Sequence, residues 1–364
     1  MPQDKATVGQ FKLKLLSAVV MFAVGFVAVA AVIHLSIGNG LRLHADIRSE
    51  KLQLMDQWQG KAYSAAFGSS HVHNGFDPRS FDLTLAGSPL QTRSLNLAIA
   101  GGSQTEQRVE ALAFLKNLNA PPKIGSAIES RSCMVVLELG AGANFTSDHL
   151  MHPRSINIYD LDTVRFVTQL TTPEMGLKQR VGRIGYSVLA MVLHYVNLGM
   201  LSSEIFAPVV DNTMFKEETI DDRRGLYSTP MSPKIHAALE KTISGAPAKA
   251  EPVPQPLLPG NSTLLEELTA ASPVKHLTFA YIVMPMLSNL RSYPVTPEEI
   301  KWSSGVSPIV DMARPDLYPE LYQVKYWADD AHLNEQGARL MTKLMAEQLK
   351  RWFAAHGEPE RCGG

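Results

Sequence analysis

The apolar pattern is densest near the N-terminus. Leu15 to Ile33 is nineteen residues without a charge, and apolar character continues past His34 to Ile37. At 1.5 Å per helical residue this run spans a hydrocarbon core of about 30 Å and predicts one transmembrane helix over 15–37. Lys5, Lys12 and Lys14 precede it, which predicts a cytoplasmic N-terminus over 1–14. Arg42, Arg48 and Lys51 follow on the other side, so charge alone does not fix the orientation. A cleaved signal peptide is the rival reading, since Ala28-Val29-Ala30 has small-x-small character. The run extends beyond that site and favours an uncleaved anchor. Either reading exports the remaining roughly 325 residues. Leu41 to Gln59 mixes polar residues with apolar ones near helical spacing and predicts a stalk over 38–61.

From Ala62 the pattern changes to short apolar runs alternating with helical stretches. Ala65-Ala66-Phe67 runs into Gly68-Ser69-Ser70, and Ser94 to Ala100 predicts a strand ending at Gly101-Gly102. Thr105 to Leu118 has helical spacing through Val109, Leu112, Phe114 and Leu115. Cys133 to Leu139 is apolar enough for a strand covered on both faces. Strand, helix and strand in that order predict a parallel sheet with crossover helices, an α/β fold in three α/β/α layers. Met175 to Leu201 predicts a long amphipathic helix through Val181, Ile184, Val188, Met191, Val192 and Val196. Residues 246–260 carry five prolines and predict an extended insertion within one domain. The sheet pattern resumes at Leu277 to Met284. Asn334 to Phe353 predicts a final helix, so the domain covers 62–355 and a polar tail 356–364.

Composition narrows the class. The apolar fraction is 45% and the charged fraction 19%, as in ordinary globular chains. Thirty-four Lys plus Arg against thirty-five Asp plus Glu leave a net charge of −1, which argues against nucleic acid as a partner. The two cysteines, Cys133 and Cys362, lie 229 positions apart with no CxxC spacing. That excludes zinc ribbons, iron–sulfur sites and a disulfide framework, and says little about redox compartment.

Chemistry-bearing residues gather at the predicted strand ends, where ligands bind in open α/β sheets. A serine in Phe67-Gly68-Ser69-Ser70-His71, after a strand and before a helix, can present its hydroxyl at the sheet edge. Asp329-Asp330-Ala331-His332 can pair imidazole with carboxylate, giving the base that a serine hydroxyl needs. Gly101 lets backbone approach a ligand, and Asn144 can donate to an oxyanion. Each taken alone also reads as turn or cap chemistry.

Together these segments resemble the SGNH (GDSL-like) hydrolases, whose blocks supply Ser, Gly, Asn and His in chain order. Residues 67–70 look like the first block, with Ser70 at the nucleophile position and Ser69 where many members have Asp. Asn96 to Gly101 is similar to the second, and Val136 to Gly140 to the strand leading into the third. Asp329-x-x-His332 fits the last block. The third block departs from the pattern: the usual Gly-x-Asn-Asp is here Gly140-Ala-Gly-Ala-Asn144-Phe145. The resemblance spans 63 to about 355, with roughly two hundred intervening residues unmatched.

The resemblance implies a triad of Ser70, His332 and Asp329, an oxyanion hole from Ser70, Gly101 and Asn144, and no metal or organic cofactor. With the N-terminal segment, it is similar to the membrane-anchored members that acylate cell-surface polymers, the alginate O-acetyltransferase-like and D-alanyl-lipoteichoic-acid transfer-like proteins. That implies a glycan or polysaccharide acceptor, a membrane-bound O-acyltransferase as donor, and an inner-membrane location with the domain on the periplasmic side. Two rivals stay open. One is a non-catalytic glycan-binding protein of the same fold. The other is a metal-dependent hydrolase using His71 and His73 with Asp77, His149, His152 and the Asp329–His332 cluster. In the serine reading, His71 and His73 contact substrate.

Overall fold

The computed structural model describes residues 5–37, 47–118, 131–140, 153–171, 175–195, 223–228 and 233–362. The chain opens with α1 (Lys5–Ile37), whose apolar side chains between Leu15 and Val29 are exposed. Among the described residues, whose side chains run unbroken over 14–29, no helix is long and apolar enough to cross a membrane.

Next come α2 (Ile47–Gln57), β1 (Ser64–Phe67), α3 (Ser70–Gly75), α4 (Pro78–Leu85), β2 (Ser94–Asn96), α5 (Gln104–Leu118) and β3 (Cys133–Glu138). The excursion after β3 carries α6 (Pro153–Ile156), α7 (Leu161–Gln169), α8 (Leu177–Tyr195) and α9 (Pro233–Ser244). Then follow β4 (Glu251–Pro254), α10 (Pro259–Ala271), β5 (Leu277–Val283), β6 (Ser292–Val295), β7 (Glu299–Trp302), β8 (Gly305–Asp311) and α11 (Glu335–His356).

The six-stranded sheet has the order β2-β1-β3-β5-β8-β7. All its pairs are parallel except β7 against β8. The fold is therefore mixed α/β with a mostly parallel central sheet. Alternation along the strands separates two cores. Phe67, Val135, Leu137, Phe279 and Tyr281 face one side, with α2, α5 and α10. Ala66, Met134, Val136, Ala280 and Ile282 face the other, with α3, α4 and α11. Both faces are thus covered by helices, as a parallel sheet requires.

Three expectations change. Residues 47–58 do not form a stalk: Leu52, Leu54, Met55 and Trp58 are buried in the first core. Arg48 of α2 is buried between Glu106 at 2.7 Å and Glu110 at 3.2 Å. Lys51 donates to the carbonyls of Asn96 and Gly225 at 2.8 and 2.6 Å, and burial pushes its ammonium down to about 7. A polar-looking segment packs here because each long cation finds partners inside. Second, the proline-rich stretch supplies β4, an exposed two-stranded pairing with β6, as proline tolerates at a sheet edge. Third, Cys133 and Cys362 form a disulfide. The tail returns across the start of β3, where Cys362 N donates to Arg131 O at 3.1 Å.

That disulfide lies at the end of the sheet opposite the carboxyl ends of the strands. Replacing both cysteines by serine is expected to cost about 3 kcal/mol of unfolding free energy, the usual scale for a native disulfide. Urea melts with and without reductant measure it; reductant should shift the native protein and leave the variant unmoved.

Candidate active site

The carboxyl end of β1 runs straight into Gly68-Ser69 and α3, so Ser70 opens a helix at the sheet edge. Ser69 caps that helix, its side chain accepting from His71 N. At the far end of the chain the strand-like contact of Trp327 with Leu333 folds a tight turn, in which Ala328 N donates to His332 O at 2.8 Å. Asn334 then caps α11 by accepting from Gly337 N. α11 braces α3: Thr342 Oγ1 donates to Gly75 O at 3.2 Å and accepts from Asp77 N at 2.9 Å.

This geometry brings His332 Nε2 to 2.8 Å from Ser70 Oγ, across 262 positions of sequence. His332 Nδ1 lies 2.9 Å from both carboxylate oxygens of Asp329. Asp329 also accepts the N–H groups of Ala331 and His332 at 2.8 Å each. Partial burial would raise the Asp329 carboxyl, but the His332 bond and those two N–H groups outweigh it and hold it below its usual range. An ionised Asp329 fixes the proton on Nδ1, which leaves the Nε2 lone pair for the serine hydroxyl.

Asn96, on β2, is wholly buried and does not reach the cavity. Its amide donates to the carbonyls of Val72, His73 and Phe76, tying α3 to the sheet. Beyond β2 the chain stays beside the nucleophile turn, with Ile99 N donating to Gly68 O at 3.0 Å. The following glycines are pressed close: a Cβ on Gly102 would stand 2.7 Å from Gly68 O. Gly101 and Gly102 therefore line the same cavity as Ser70. That cavity is about 360 Å³, polar at Ser70 and His71 and apolar at Val283, Met284 and Met286.

One functional residue escaped the sequence reading. Glu138, buried at the end of β3, lies under the nucleophile turn. Its carboxylate accepts from Ser69 N, from Ser69 Oγ at 3.0 Å and from His71 Nδ1 at 3.2 Å. Gln107 holds its backbone, accepting from Glu138 N at 3.0 Å. A Cβ on Gly68 would meet Glu138 Oε2 at 2.5 Å, so only glycine lets the turn close over this carboxylate. The His71 ring stacks on His332 with centroids 5.6 Å apart. Burial alone would lower the His71 pKa, but the hydrogen bond and charge of Glu138, helped by Asp329, raise it. The signal in sequence was a single acid at the end of an otherwise apolar strand.

His73 is not brought to the cavity. It is buried, stacked on Tyr227 at 5.2 Å, and burial together with Lys51 pushes it well below its ordinary pKa. Among the described residues no group of three or more His, Cys, Asp or Glu is placed to hold a metal. Asn144, His149 and His152 lie outside the described residues.

Glu138→Gln removes the anionic partner of His71. The His71 titration midpoint, followed by NMR, is expected to fall, because the group loses the hydrogen bond and charge that raised it. An unmoved midpoint would mean that Glu138 does not hold the imidazolium.

Compared with protein-family models, with curated proteins and with solved structures, the chain finds no match.

Proposed function

We propose that the chain is an exported serine-dependent O-acyltransferase or esterase of the SGNH type, acting on a cell-surface polysaccharide or glycan. The observation that carries this reading is the hydrogen-bonded series Ser70–His332–Asp329, opening on a cavity flanked by Gly101 and Gly102. In the first half-reaction Ser70 Oγ bonds to the acyl carbonyl carbon while its proton passes to His332 Nε2. The carbonyl oxygen becomes an oxyanion, received by the N–H groups of Ser70 and Gly101 with Asn144 as third donor. Collapse breaks the ester bond, and His332 returns the proton to the departing alcohol. In the second half a sugar hydroxyl, or water, gives its proton to His332 and its oxygen bonds to the acyl carbon; the bond from that carbon to Ser70 Oγ then breaks, and His332 returns the proton to Ser70.

His71 is the substrate contact. Its Nδ1 bond to Glu138 leaves the rest of the imidazolium toward the cavity as a donor to substrate oxygen. The cavity suits a short acyl group against Met284 and Met286, and no metal or organic cofactor enters the proposed steps. The location belongs to the same reading. The apolar run of α1 serves as a single-pass inner-membrane anchor, with the domain on the periplasmic side. The Cys133–Cys362 disulfide supports it, because such bonds persist in oxidising compartments. A membrane-bound O-acyltransferase is the proposed donor partner, on the resemblance alone.

Fluorophosphonate labelling tests the reading. Ser70→Ala should abolish it and His332→Ala should slow it by about a thousandfold or more, since the two act as one unit. Asp329→Asn should cost less, yet clearly more than Asp330→Asn. Wild-type labelling of Ser70→Ala would sink the nucleophile assignment.

The pH profile of acyl transfer carries a second expectation. The imidazolium of His71 is present below its raised pKa and is lost as pH rises through it. Turnover should therefore decline on the alkaline side, and His71→Gln should remove that decline while lowering the plateau. An alkaline limb unchanged in His71→Gln would exclude His71 as the donor.

A further inference from the structure

The amphipathic helix α8 is built the reverse of a core helix. The residues it turns inward are Arg183, Ser187, Ala190 and His194. Arg183 donates to Leu170 O at 3.0 Å, and Ser187 to Arg183 O at 2.7 Å. The opposite face carries Leu177, Val181, Val188, Leu189, Val192 and Tyr195, all exposed, with Leu177 at 73% and Val181 at 62%. Five of these fall within about 60° of one another at 100° per residue, which makes a stripe along the whole helix.

Three observations say what covers that stripe. α8 touches α1, whose own apolar side chains are exposed from Leu15 to Val29, so the stripe belongs to a helix that lies beside the apolar run. Apart from the buried Arg183, α8 carries Lys178 and Arg180 and no acidic residue. Its C-terminal end presents Tyr195, an aromatic of the kind enriched where a bilayer meets water. An apolar face, basic charge and interfacial aromatics are the marks of a helix lying in the plane of a membrane surface.

We propose that α8 is an interfacial membrane helix, its apolar stripe seated in the headgroup–acyl boundary of an anionic bilayer, the same bilayer that α1 enters. The inference rests on reading α1 as the anchor, and it adds a second point of attachment. One helix leaves a domain free to rotate about its tether; a second, lying flat, fixes one face of the domain against the lipid. The chain departs for this excursion at Gly140, which lines the cavity, so the attachment belongs to the connection that leaves the catalytic edge of the sheet.

The full-length protein in phosphatidylethanolamine–phosphatidylglycerol vesicles supplies the test. Its two native cysteines are bonded to each other, so an introduced cysteine is the single reactive thiol. Spin labels go on Val181, Val188 and Val192, with Phe22 of α1 as the membrane reference. Leu83 of α4, on the other face of the sheet and 77% exposed, is the aqueous reference. The expected ratio of oxygen to nickel-chelate accessibility at the α8 sites is about tenfold above that at Leu83, and nearer that at Phe22. Water-like values on α8 with lipid-like values at Phe22 overturn the proposal and leave the anchor standing. Lipid-like values on α8 with water-like values at Phe22 uphold α8 and sink the anchor. Water-like values at both sink both. Shielding from both reagents reports a protein cover, residues 196–222 or a second copy, and overturns it too.

Discussion

A serine hydroxyl and an imidazole 262 positions apart meet at 2.8 Å, and much of the surrounding architecture holds that contact. Neither end of the contact is local. β1 delivers Ser70 from the inside of the sheet, between β2 and β3. The last helix delivers His332 from outside and must then be held against α3. The Thr342 hydroxyl, bonded to both Gly75 and Asp77, makes that clasp. Leu287 N, donating to Asp330 O at 3.0 Å, ties the base-bearing turn to the loop after β5. Each of the surrounding polar bonds contributes little net stability, so their main effect is to fix the position of this contact.

The second constraint is backbone proximity. Gly68, Gly102 and the carboxylate of Glu138 occupy space that any side chain would claim. Glu138 tolerates burial because three donors converge on it, from Ser69 and His71. One carboxylate therefore sets the shape of the nucleophile turn and holds the histidine beside it. The site contains two histidine–carboxylate pairs, stacked ring to ring, with separate partners.

Much of this was readable in the chain. Apolar runs ending in Gly or Ser marked β1, β2 and β3 because a strand end and a ligand-facing turn share a composition. The Asp329-x-x-His332 spacing forecast its own contact. Other residues misled for physical reasons. His71 and His73 group together in sequence as candidate ligands and substrate contacts, but they occupy a helix, where two residues turn about 200° and point the rings apart. α2 looked like a solvated stalk because Arg48 and Lys51 carry charge, and composition does not reveal partners a long way along the chain. β6 to β8 went unread, their short runs broken by Pro294 and Pro308. Burial of Glu138 is a tertiary fact, visible only once α3 is seen to close over β3.

The disulfide divides the molecule in a way the fold alone conceals. Covalently, residues 133–362 form a closed ring, and everything before Cys133 is an arm attached at one point. Glu138, Asp329 and His332 belong to the ring; Ser70, Gly101 and Gly102 belong to the arm. The arm enters by inserting β1 between β2, which it brings with it, and β3, which the ring supplies. A ring without its arm would hold His332 without Ser70, and an arm without its ring Ser70 without His332. The contact of Ser70 with His332 is therefore a bridge between arm and ring, and its 2.8 Å distance is a direct report of arm docking.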